Sequence, residues 1–328
     1  MAITNVAAFL VSLGVTAIAG LFLIPAFRRA GVGQVIREDG PVWHMSKQGT
    51  PTMGGFMFIA GTIVACMTVG YAEMKRGEYT HLFVLLYSLV FALIGFLDDY
   101  RKLKKKENLG LNAGQKLFLQ LVVAMLFILL MRLTGNLTSS LYIPFFRFRF
   151  ALPMPVYLAF AAFVAIGTVN AVNITDGVDG LATGVSIPVA ACFIAISFVQ
   201  TRAALGIFSA AFTGSLLGFL IFNFHPAKVF MGDIGSHFIG GAVCALAFAC
   251  DMPLILATLG VVFIIEALSD IIQVTYFKLS KGKRIFKMAP LHHHFEKSGW
   301  SEYKLFAVFT SISAVFSVIS YLAVVPRG

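Results

Sequence analysis

Charge is scarce in this chain. Acidic and basic residues make up 12% of its 328 positions, against roughly a quarter in a soluble globular domain. With hydrophobic residues at 59%, that scarcity excludes a water-soluble enzyme or binding module, and no stretch is polar enough to form a separate soluble domain. Cysteine is sparse too. Cys66, Cys192, Cys244 and Cys250 all fall inside apolar runs. They offer neither a disulfide framework nor a metal motif, and read as small core hydrophobes. The first apolar run lacks a small-residue cleavage site, so it reads as a retained span rather than a secretory signal. No internal repeat and no low-complexity linker divides the chain.

What the chain does have is ten apolar segments, at 5–26, 54–72, 81–97, 116–134, 153–172, 181–200, 204–223, 236–250, 253–276 and 304–325. Each approaches the ~20 residues that cross a bilayer as a helix. The pattern predicts an all-α polytopic membrane protein of ten transmembrane helices, one integral catalytic domain over 1–325. The terminal "VPRG" resembles a protease-cleavage remnant, so 326–328 are set aside. Ten spans put both termini on one side, and the segments after spans 1, 3, 5, 7 and 9 hold most of the 25 basic residues. The positive-inside rule makes that basic face cytoplasmic and the termini external. The net charge of +10 therefore points to orientation, anionic lipid headgroups or an anionic substrate, and not to nucleic acid. On the opposite side, "SLYIPFFRFRF" alternates partly and predicts a small interfacial hairpin near 140–150.

Polar chemistry gathers on the basic face. His44, His225, His237, His292, His293 and His294 lie there, all but one of the seven histidines. A transporter keeps its ionisable groups near the bilayer midplane. Collection at one face suits a reaction between a cytosolic reactant and a lipid-embedded one.

Five motifs and one acid pair carry the chemistry. In "GFLDDYRKLKKKENLGLNAGQK", Asp98 and Asp99 end span 3. Adjacent acids at the end of an apolar run are costly without a cation. A helix C-terminus disfavours negative charge, so capping explains them poorly. The bland alternative is pairing with Arg101 or Lys102, whereas paired carboxylates suit Mg²⁺ beside a phosphate. Lys104, Lys105 and Lys106 read as orientation signals, and Lys116 can reach a phosphate. In "NAVNITDGVDGLATG", Asn170, Asn173, Asp176 and Asp179 recur every three residues. Near helical geometry keeps them along one side, drifting around the axis; a polar turn is the structural alternative. In "NFHPAKVFMGDIGSHFIGG", Asp233 lies between glycines just ahead of span 8, with Phe230 available to stack and Asn223 closing span 7. Glu266 and Asp270 share a face of span 9, with Gln273 nearly a turn on. They either pair with bases of the next loop or mark a break in that helix, which would open a groove. "MAPLHHHFE" places His292, His293 and His294 in a basic loop. Adjacent histidines diverge and have the wrong spacing for zinc, but they can donate to a diphosphate. Finally, "HMSKQGTPTMGG" sets His44, Lys47, Thr50 and Thr52 ahead of span 2.

In that order "SKQGTPTMGG", "GFLDDYRK", "NAVNITDGVDGLATG", "HPAKVFMGDIGS" and "MAPLHHHFE" span nearly the whole chain. Together they resemble the polyprenyl-phosphate N-acetylhexosamine phosphate transferases. "MAPLHHHFE" marks the branch whose sugar carries a pentapeptide. The resemblance implies a ten-span homodimer in the bacterial plasma membrane. The implied reaction moves phospho-MurNAc-pentapeptide from its UDP carrier to undecaprenyl phosphate, gives lipid I and UMP, and needs Mg²⁺. Asp98, Asp99 and Asp233 would be the catalytic acids, with Asp233 and Asp99 on the metal. Lys47, Asn173, Asp179, Asn223 and Phe230 would line a uridine pocket open to nucleoside inhibitors. Thr52, Asp176, Gln273, His292 and His293 would meet the rest of the nucleotide sugar, Lys116 a phosphate, and His294 would brace its loop beside them. Direct attack by the lipid phosphate is the preferred mechanism over an aspartyl-phosphate intermediate. Two other readings stay open: a related enzyme using UDP-GlcNAc, and an ion-coupled transporter built on Glu266 and Asp270.

Overall fold

The computed structural model describes residues 1–33, 47, 49–105, 110–135 and 138–325. His44 and Lys106, and the proposed remnant at 326–328, lie outside the described residues. The elements run α1 (Ala2–Arg29), α2 (Gly55–Thr68), α3 (Tyr71–Lys75), α4 (Thr80–Lys105), α5 (Ala113–Leu133), β1 (Ser140–Ile143), β2 (Phe148–Ala151), α6 (Met154–Thr175), α7 (Leu181–Val199), α8 (Ala203–Asn223), α9 (Gly232–Ala249), α10 (Leu256–Leu259), α11 (Val261–Leu279), α12 (Leu291–Glu296) and α13 (Glu302–Val324). Among the described residues nine helices are long and apolar enough to cross a membrane, and a bent pair makes a tenth. The protein is thus an all-α polytopic membrane protein. The expected hairpin is present, with Ser140 paired to Ala151 and Ile143 to Phe148.

Burial is graded by position in the bundle. Helices α1, α5 and α13 bury only 28% of their most apolar window, whereas α9 buries 89%. Helix α9 is also the least hydropathic span, at 1.3 against 2.4 for α1. A helix enclosed by other helices needs small residues for close packing more than it needs lipid-soluble ones. The glycines and alanines of "GDIGSHFIGGAVCALAFA" meet that need, and α9 packs against α4, α6 and α2. The bundle therefore centres on the helix whose first turn carries Asp233.

Two helix ends depart from the sequence reading. The acids Asp98 and Asp99 do not end α4, which continues to Lys105. Span 9 does break, as expected, but not at its acids. Helices α10 and α11 meet at 79° around Gly260, ahead of Glu266. The Gly260 amide closes α10 on the Leu256 carbonyl, while its own carbonyl receives Ile264 N–H and opens α11.

Candidate active site

The site is assembled where the end of α4, the start of α5, the end of α6 and the start of α9 meet. Asp233 is its centre. Its Oδ2 accepts from Lys102 Nζ and from Lys116 Nζ, both at 3.0 Å. Its Oδ1 accepts from Asn173 Nδ2 at 2.9 Å. Asp98 shares Lys102 through a 2.6 Å contact to Oδ2, and its Oδ1 takes the Leu111 amide at 2.7 Å. Asp99 is turned inward, 5% exposed, with Oδ2 accepting the Ile234 amide at 3.0 Å. Capping was a poor explanation for an acid near the end of its own helix. Asp99 instead satisfies the first turn of α9, a different helix, where negative charge is favoured.

Close approach makes this possible. A Cβ on Gly95 of α4 would stand 2.1 Å from the Asp233 carbonyl oxygen. Gly232 has φ +72°, and a Cβ there would stand 2.6 Å from Asp99 Oδ2. Both positions need the missing side chain, one for space and one for backbone conformation as well.

The three-residue repeat of Asn170, Asn173, Asp176 and Asp179 does not stay on one face, because α6 ends at Thr175. Asn170 faces inward and donates to Gln120 Oε1 at 2.8 Å. Asn173 reaches Asp233 and Ser236. Asp176 follows the last helical turn and makes no side-chain hydrogen bond among the described residues. Burial raises its carboxyl well above the usual carboxylate range, and the negative charges of Asp233, Asp99 and Asp179 raise it further.

Asp179 belongs to a second polar centre. Its Oδ1 meets Lys47 Nζ at 2.7 Å, and its Oδ2 meets His225 Nδ1 at 2.9 Å and the Ala227 amide at 3.0 Å. Lys47 also bridges to Glu302 at 2.7 Å, and Glu302 accepts the Asp179 amide at 3.1 Å. Burial alone would raise the Asp179 carboxyl. Lys47, Ala227 and His225 more than offset it, and the net position is below the usual range. One donor atom from each of Asp179, His225 and Glu302 lie within 4.8 Å of one another. The Lys47 ammonium already contacts both acids, so that group has its cation. The motif reading gave Glu302 and His225 no role. Glu302 follows Ser301, the α13 N-cap, and in sequence looks like an ordinary first-turn acid.

The remaining expected site residues divide between partly exposed positions and buried, hydrogen-bonded ones. Phe230 is partly exposed. Its backbone pairs with Pro51 and Gly54, which joins its loop to the segment bearing Thr52. Thr52 is 9% exposed beside it. Asn223 is 2% exposed, its Oδ1 accepting from Thr183 Oγ1 and its Nδ2 donating to the Val229 carbonyl. Gln273 accepts the Ile285 and Phe286 amides and donates to the Phe286 carbonyl, so it clamps the basic loop. His292 is buried. Its Nδ1 meets Glu266 Oε2 at 2.8 Å, and its Nε2 has no hydrogen-bond partner among the described residues and faces the backbone of Gly177. Glu266 thus pairs with a base from the following segment. His293 contacts Glu296 at 2.6 Å. His294 accepts the Lys287 amide at 3.0 Å.

Asp98 and Asp233 share the Lys102 ammonium and Lys116 also reaches Asp233, while Asp99 and Asp176 lie close enough for the Asp233 charge to act on them. Hard carboxylate oxygens are the donor type that Mg²⁺ takes, one or two at a time together with substrate phosphate.

Comparisons with known proteins bear on the same residues. The pattern of glycosyl transferase family 4 matches residues 81–251. The chain is 45% identical to the phospho-N-acetylmuramoyl-pentapeptide-transferase of Caldanaerobacter subterraneus subsp. tengcongensis, over 96% of each chain. It is 43% identical to the transferase of that name from Clostridium acetobutylicum, over 93% of this chain and 94% of the relative. The Halalkalibacterium halodurans protein of that name is 44% identical over 96% of both.

Proposed function

The chain belongs to the phospho-N-acetylmuramoyl-pentapeptide-transferases of glycosyl transferase family 4, and from that premise we propose how its site works. The protein transfers phospho-MurNAc-pentapeptide from UDP to undecaprenyl phosphate, giving lipid I and UMP. Family membership disfavours both the UDP-GlcNAc reading and the transporter reading. The observation that carries the mechanism is the Asp233 carboxylate held between Lys102 and Lys116, with Asp98 on the same Lys102.

Phosphoryl transfer asks mainly for positioning and neutralised charge. An oxygen of the acceptor phosphate attacks the sugar-bearing phosphorus. The bond from that phosphorus to the bridging oxygen breaks, and UMP leaves with the electron pair. Lys102 and Lys116 are the cations within reach of the phosphates. Asp98 orients the acceptor phosphate and takes its proton when it carries one. Asp99 fixes the start of α9, and with it Asp233. Asp233 and Asp99 would hold Mg²⁺, which when bound neutralises the diphosphate and the departing UMP. Lys47 and Asp179, with Phe230 nearby, form the uridine end of the site. Asn173, expected in the uridine pocket, donates to Asp233 and is reassigned with Lys116 to the phosphate end, with Asp176 near both Asp233 and Asp179. The excess of basic residues on the side of the site supports a cytoplasmic orientation in the bacterial plasma membrane.

The test is UMP release by the purified full chain supplied with both substrates. Asp233→Asn is expected to lower kcat by at least about 10³-fold, and Lys116→Met by about 10²-fold, as loss of electrostatic groups at a reacting centre does. Unchanged turnover in Asp233→Asn would overturn the central role given to that carboxylate. Accumulation of a labelled phospho-sugar on Asp98 or Asp99 without acceptor would overturn direct attack.

A further inference from the structure

The C-terminal end of α11 and the loop after it carry chemistry that the reaction does not use. From Lys278 to Lys287 the chain reads "KLSKGKRIFK", with five cations and no acid. Lys278, Lys281, Lys283, Arg284 and Lys287 are all exposed, and none forms an ion pair with a described carboxylate. Large apolar side chains stand among them. Leu279 is 80% exposed, Ile285 49% and Phe277 43%. Cations interleaved with exposed apolar groups match neither a solvated loop nor a buried core.

The patch is held in shape. Lys281 and Gly282 turn the chain with φ of +56° and +100°, and the Gly282 amide returns to the Phe277 carbonyl. Gln273 clamps Ile285 and Phe286 against α11 through three hydrogen bonds. The Arg284 guanidinium lies 5.8 Å from the centre of the Phe277 ring. The cations and apolar groups are thus presented together with little left to order on binding.

We propose that this tip of α11 and its basic loop form a docking surface for anionic phospholipid headgroups of the surrounding bilayer. Leu279, Ile285 and Phe277 enter the acyl boundary, and Lys278, Lys281, Lys283 and Arg284 meet the phosphates above it. Charge complementarity selects the occupant, because a row of unpaired cations next to apolar side chains is the pattern that anionic membrane surfaces attract. Each such cation strengthens attachment by about five-fold.

The test is native mass spectrometry of the full chain in detergent, titrated with phosphatidylglycerol, phosphatidylcholine or undecaprenyl phosphate. Wild-type protein is expected to prefer phosphatidylglycerol over phosphatidylcholine by about ten-fold or more. The variant carrying Lys281→Gln, Lys283→Gln and Arg284→Gln is expected to lose that preference and keep its affinity for undecaprenyl phosphate. Fluorescence-quenching titrations of wild-type protein at rising salt give the same test without a variant, and the preference is expected to shrink. A preference that survives the triple substitution overturns the proposal. So does a preference that ignores salt, or a variant that loses undecaprenyl phosphate while keeping phosphatidylglycerol.

Discussion

Asp176 shows how much of the site's chemistry depends on neighbours that do not touch it. Its carboxyl has no hydrogen bond among the described residues, and is raised by burial and then by three nearby carboxylates. A raised acid favours the fold below the ordinary carboxylate range, and that contribution is lost as pH rises through the folded value. Asp176→Asn is therefore expected to raise Tm more at about pH 8 than at about pH 4, read by thermal unfolding in one detergent, while UMP release falls. Asp179 has the opposite sign. Its lowered carboxyl contributes stability above the ordinary range, lost as pH falls through the folded value. Lys47→Met leaves Asp179 and Glu302 without their shared ammonium. The expected cost is about 3 kcal/mol near neutral pH, visible as a lower Tm and a gap from wild type that narrows in acid. Lys47 and Asp179 were candidates on motif grounds. Glu302 was not, because a first-turn acid after a serine cap is explained locally and gives no hint of a long-range partner.

Among the elements, α4 and α9 matter most, since they bring Asp98 and Asp99 to Asp233. Their contact depends on Gly95, where a methyl group would lie 2.1 Å from the Asp233 carbonyl. Alanine gains about 1 kcal/mol over glycine in helix propensity, but a clash with packed backbone costs typically 1–3 kcal/mol and moves the helices apart. Gly95→Ala is expected to lower both Tm and kcat, with the loss in kcat at least about ten-fold. A stabilised, fully active variant would show that the two helices have room to spare. The break at Gly260 has a similar lesson. Length and the acids in span 9 predicted a break, yet the bend precedes Glu266, which is fully buried and engaged by His292. The acid that looked like a reason for the break is a tie between α11 and α12.

At the scale of the molecule, the His292 to His294 segment is joined to the catalytic centre only through tertiary contacts, since His292 faces Gly177 beside Asp176. UDP-GlcNAc, which lacks the pentapeptide, is expected to release UMP at least about 10²-fold more slowly than UDP-MurNAc-pentapeptide, measured in one coupled assay. Comparable rates would remove the pentapeptide from the list of groups the site reads. The sequence by itself determined the membrane character, the number of spans, the hairpin and many, but not all, of the acids and bases that meet at the site, Glu302 and His225 being the exceptions in the Lys47 centre. The reason is that transfer of a helix into lipid is close to a sum over its own side chains, so it is legible locally. Only the tertiary structure decided which acid meets which base. Lys102 and Lys116 reach Asp233 across separations of 131 and 117 residues, and Lys47 reaches Glu302 across 255. Those pairings depend on how each helix is rotated against its neighbours, and rotation is set by packing around the buried small residues of α9, which no local pattern of charge or hydropathy records.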